Sequence, residues 1–80
     1  MSTFINHGRI INTDYGIRLR LCRDRLGLSQ QSMAKLVGMS QSNITKLERQ
    51  EISLTLEAAE QICKAVPEID FIWLITGHEK

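Results

Sequence analysis

The chain has 80 residues, 42% of them apolar and 5% aromatic, enough for one small core and no second domain. Ten Lys and Arg oppose nine Asp and Glu, so the net charge is +1, which as a total argues against a strongly basic nucleic-acid binder. The distribution says more: residues 1–49 carry eight bases and three acids, net +5, and residues 50–80 carry two bases and six acids, net −4. Such asymmetry implies a basic half facing a partner and an acidic half with a structural or self-associating role. No apolar run approaches the length of a membrane span, and no charged N-terminal region leads into an apolar stretch, so neither a span nor a signal peptide is expected.

Residues 1–13 show no sustained period and are expected as an N-terminal tail, with no strand anywhere in the chain. From Asp14 the pattern turns helical. Asp14 or Thr13 is expected to cap a helix running to about Leu26, with Leu19, Cys22 and Leu26 on its inner face and Gly27 ending it. Ser29 opens a second helix, Gln30 to Val37, with Met33, Ala34 and Val37 inward, and Gly38 stops it. Ser40 caps a third, Gln41 to about Arg49, whose only large apolar residues are Ile44 and Leu47. A helix with so little to bury is held for another reason.

Residues 50–54 read as a connector. Thr55 caps a fourth helix, Leu56 to Val66, with Leu56, Ala59, Ile62, Cys63 and Val66 inward, and Pro67 breaks it. Asp70 caps a last short helix, Phe71 to Thr76, ended by Gly77, with Phe71 and Trp73 expected in the core. The fold class is all-α: a five-helix bundle.

The run Ser29–Glu48 is helix, tight turn, helix. Small Ala34 lets the pair approach, and Ile44 and Leu47 clamp the second helix down. The N-terminal end of that second helix then projects outward, where it suits the width of a DNA major groove. Gln pairs bidentately with the adenine N6/N7 edge, Lys reaches guanine, and a Thr methyl touches a thymine methyl. No Ser/His/Asp or Cys/His grouping is present, so an enzyme is not expected. His7 and His78 lie near opposite ends, so no metal, cofactor or small-molecule ligand is expected either.

The segment GLSQQSMAKLVGMSQSNITKLER resembles the helix-turn-helix of the lambdoid phage repressor/Cro family, on Gln30, Ala34, Gly38, Ser40, Ile44 and Glu48. The resemblance extends over residues 16–77 and closes on Trp73 to Gly77. It implies a repressor-like DNA-binding domain at residues 14–80, with Gln41, Ser42, Thr45 and Lys46 reading bases. Gln30, Asn43, Arg49 and Arg23 would meet phosphate; Gln30 would also buttress Gln41, and Arg23 would pair with Glu48 to orient the reading helix.

Three departures stand out. Gln50 replaces the family's usual Gly, Leu54 replaces a common Pro, and the loop at residues 67–70 is one residue longer. Ile72 occupies an often polar position, and with Ile52 and Leu54 it marks a candidate dimer face.

The expected function is a cytoplasmic transcriptional repressor of phage or mobile-element type, binding a pseudo-palindromic double-stranded DNA operator as a homodimer. Such a chain is either a whole Cro-like protein or the N-terminal domain of a longer repressor. Two alternatives stand beside it: the antitoxin of a toxin–antitoxin pair, and a helix-turn-helix protein-interaction module that binds no DNA.

Overall fold

Five short helices follow one another with their caps supplied largely by local sequence. The computed structural model describes residues 5–6, 9–10 and 14–78; the Thr13 cap and His7 lie outside them. The helices are α1 (Tyr15–Arg25), α2 (Gln30–Val37), α3 (Gln41–Glu48), α4 (Leu56–Ala65) and α5 (Phe71–Thr76). Ahead of them, where no strand was expected, β1 (Ile5–Asn6) and β2 (Arg9–Ile10) pair antiparallel, Ile5 opposite Ile10 and Asn6 opposite Arg9. Two-residue strands are too short to leave a readable alternation.

Ser29, Ser40, Thr55 and Asp70 each accept the backbone N–H three residues on, satisfying one donor that the first helical turn leaves open. α1 differs. Asp14 occupies the cap position with no side-chain cap bond, which corrects its expected role.

α2 packs on α3, α1 on α3 and α5, and α4 on α2 and α5. Leu19, Met33, Ile44, Leu54, Ile62 and Leu74 are fully buried, so every helix and the connector contribute to one core. Several expectations of burial are corrected. Leu26, at the C-cap of α1, and Leu56, the first residue of α4, are exposed. Phe71 and Trp73 are half-buried, and Leu74 and Ile75 supply the buried face of α5 instead.

Leu54, a candidate for the dimer face, is 1% exposed: the connector folds back and plants it in the core, so it is unavailable to a second copy. Ile52 and Ile72 remain 37% and 45% exposed. α1 also buries Arg18, whose Nε donates to the Leu74 carbonyl at 3.0 Å, near the electronegative end of α5. Burial lowers the Arg18 pKa, and the Asp14 carboxylate opposes that shift.

Cys22 and Cys63 are free, half-buried thiols packed against the core. Burial raises both, Cys63 to about 11 with help from Asp70 and Cys22. Both therefore stay protonated and inert near neutral pH. No described helix is long and apolar enough to cross a membrane.

Candidate nucleic-acid interface

The turn between α2 and α3 depends on Gly38, which adopts φ 77°, a left-handed conformation that a side chain resists. Its N–H and that of Met39 both donate to Ala34 O, at 2.9 and 3.0 Å, and reverse the chain tightly enough for Ser40 to start α3. From α4, Gln61 Nε2 donates to Val37 O at 2.6 Å, tying down a carbonyl that the end of α2 leaves open. Sequence periodicity carried no signal for Gln61, because its partner is a backbone atom on another helix.

α3 buries Ile44 and Leu47 and turns the rest outward. Gln41, Ser42, Asn43, Lys46 and Arg49 are exposed, and Thr45 is half-buried. Gln41, Ser42, Thr45, Lys46, Arg49 and Glu51 line one open depression on this surface. All four residues expected to read bases therefore lie together, with Arg49 beside them. Glu51 is an addition, reached only because the chain reverses after α3.

Behind the depression runs a connected polar chain. Arg23 donates Nε to Glu48 Oε2 at 2.6 Å, Nη2 to Glu48 Oε1 at 3.2 Å, and Nη1 to Leu28 O at 2.8 Å. Gln30 Nε2 donates to Glu48 Oε1 at 3.0 Å, and Gln30 Oε1 accepts the Thr45 hydroxyl at 2.8 Å. The Arg23 and Glu48 side chains are only 12% and 4% exposed, and the Glu48 bond raises the Arg23 pKa further.

This arrangement changes two roles that the resemblance implied. Arg23 engages all three nitrogens inside the protein, and its guanidinium ties α3 to α1. Gln30 meets Thr45, one turn along from Gln41, and both ends of its amide are engaged.

The matched family decides what this scaffold is. A helix-turn-helix domain model matches residues 14–66. The chain belongs to the helix-turn-helix family. This helix-turn-helix chain is similar to the P22 c2 repressor protein, whose structure was solved with synthetic operator 9T in the presence of Tl+. The TM-score is 0.71 at 30% identity, over 80% of this chain and 96% of that one. It is also similar in fold to a hypothetical transcription factor, NHTF, from Neisseria, with TM-score 0.71 at 22% identity, over 79% of this chain and 71% of that one. No curated protein sequence matches the chain.

Within the helix-turn-helix unit α2 is the supporting helix and α3 the projecting one. The N–H groups that the first turn of α3 leaves open give that end a partial positive charge. Among the described residues no cluster of His, Cys, Asp and Glu is suited to a metal ion.

Proposed function

We propose that this chain is a sequence-specific DNA-binding transcriptional regulator, a repressor of phage or mobile-element type that acts in the cytoplasm on a pseudo-palindromic operator. One observation carries the reading: the depression formed by Gln41, Ser42, Thr45, Lys46 and Arg49 lies on the projecting helix, which a buried ion pair ties to α1. Hydrogen-bonding groups and two cations on one helix face match what base edges and phosphates require. The likeness to a repressor described with its operator supports the same reading.

In this reading residues 14–80 form the DNA-binding domain. Gln41, Ser42, Thr45 and Lys46 address base edges, while Asn43 and Arg49 address phosphate. Arg23, Glu48 and Gln30 are positioning residues. No chemistry is performed; repression follows from occupying the site. One domain reads only a few base pairs, so a homodimer on two half-sites supplies the missing specificity. Ile52 and Ile72, both exposed, are the residues we assign to that contact.

The test is selection of bound sequences from a random duplex pool at low salt. The expected result is an enriched motif with two symmetric half-sites about 34 Å apart, whose binding weakens steeply with salt. No retention of any duplex would overturn the reading and favour a protein-interaction module. A small unrelated protein co-purifying with the chain would favour the antitoxin instead.

A further inference from the structure

The reading surface contains an acid. Among the described residues lining the depression, Glu51 is the one that carries negative charge, beside Lys46 and Arg49. Its Oε2 stands 3.8 Å from Arg49 Nη1, with side-chain exposures of 52% and 69%. Nor is Glu51 on a loose loop. Its N–H donates to Lys46 O at 2.8 Å, and the preceding Gln50 N–H donates to Leu47 O at 3.1 Å. Gln50 is itself held by the Gly16 N–H through its side chain. The carboxylate is thus delivered by backbone anchored to the C-terminal end of α3, and it moves with that helix.

Between two exposed groups such an ion pair is weak, and a phosphate can displace it. A phosphate approaching Arg49 must either replace Glu51 as its partner or accept repulsion from it. Lys46, Arg49 and Glu51 together present one net positive charge where the two bases alone would present two.

We propose that Glu51 attenuates phosphate binding: it competes with the DNA backbone for Arg49 and keeps sequence-independent affinity low. The inference rests on the DNA-binding reading and deepens it, by naming the residue that limits the electrostatic part of affinity. Non-specific binding arises almost entirely from phosphate contacts, so this part is where a local acid acts. The other use of a carboxylate in a groove, accepting from cytosine N4, predicts the opposite sign on removal.

The experiment measures binding of the full chain to a random-sequence duplex across a salt series, for the wild type, Glu51→Gln, Arg49→Ala and the double variant. Far-UV circular dichroism verifies that each is folded. Glu51→Gln is expected to bind about two- to fivefold more tightly at low salt. Its plot of log K against log salt concentration is expected to steepen by about 0.9. In the Arg49→Ala background the gain should vanish, since the competition is for Arg49. Unchanged or weaker binding by Glu51→Gln overturns the proposal, and so does a gain that survives Arg49→Ala. A folded wild type that binds no duplex overturns both this inference and the proposed function. A wild type that binds normally, with Glu51→Gln indistinguishable from it, overturns this inference alone.

Discussion

Gln50 closes the N-terminus of α1 from 34 residues away: its Oε1 accepts the Gly16 N–H at 3.0 Å. Gln50 is also the one described non-glycine residue at positive φ, 61°. The backbone there reverses out of α3, a step for which glycine is the ordinary choice. The left-handed conformation costs about 1–2 kcal/mol for a residue with a Cβ, and the bond to Gly16 offsets about 1 kcal/mol of it. Gly16 is the other half of the contact, since a Cβ there would lie 2.5 Å from Glu48 O and 2.7 Å from Leu47 O.

Urea unfolding checks this relationship. Gln50→Gly relieves the backbone and loses the bond, so its stability is expected within about 1 kcal/mol of the wild type. Gln50→Ala keeps the strain and loses the bond, and is expected about 1 kcal/mol less stable than the wild type. Gly16→Ala is expected to cost about 1–3 kcal/mol, toward the upper end because the obstructing atoms are backbone oxygens. Gln50→Ala more stable than Gln50→Gly would refute the account.

Removing Glu48 strands a buried cation. Glu48→Ala leaves the Arg23 guanidinium 12% exposed without its carboxylate and is expected to cost about 3–5 kcal/mol. Replacing both partners, Arg23→Met with Glu48→Leu, should recover most of that loss while still releasing Gln30. Thermal unfolding of the two variants beside the wild type decides the point: a double variant as unstable as Glu48→Ala would mean the pair stabilises far more than its geometry implies.

The same carboxylate sets the chemistry that Thr45 offers. A carboxylate only accepts, so the Gln30 amide turns its NH2 to Glu48 and its carbonyl to Thr45; a carbonyl only accepts, so the Thr45 hydroxyl donates to it. The proton is spent inside the protein, and the methyl group is what Thr45 has left for an apolar contact with a thymine. Replacing thymine by uracil at each position of a selected operator should weaken binding about fourfold at one of them. Thr45→Ser should abolish that sensitivity and Thr45→Val preserve it. Equal sensitivity in Thr45→Ser would assign the methyl contact to another residue.

Cys63 makes stability depend on alkaline pH. Its folded pKa is raised from 9.0 to about 11, so the folded state disfavours the thiolate. The contribution is complete below pH 9 and is lost as pH rises toward 11. Cys63→Ala is expected to flatten the decline in urea stability between those limits. A decline of the same slope in the variant would assign it to other groups.

What the sequence determined by itself was most of what is built from neighbours a few residues apart, the Asp14 position and the β1–β2 pair excepted. Ser29, Ser40, Thr55 and Asp70 cap helices through the N–H three residues on, Gly38 reverses the chain, and Met33, Ala34, Val37, Ile44 and Leu47 follow a helical period into the core. Spacing of that kind is written directly in the chain, and it was enough to place the helix-turn-helix and its outward face.

Tertiary structure decided how the remaining helix ends are satisfied and which apolar residues are hidden. Gln50 serves α1, Gln61 serves α2 and Arg18 serves α5, each across the fold. Leu54 is buried while Leu26 and Leu56 are exposed, because burial depends on which helix arrives opposite. The net charge of +1 divides in the same way. Composition located its positive part in residues 1–49, but only the packing put Arg18 and Arg23 inside the protein, left Lys46 and Arg49 on the outward face of α3, and set Glu51 beside them. A side chain's electrostatic role follows from its surroundings, and those exist only once the helices have packed.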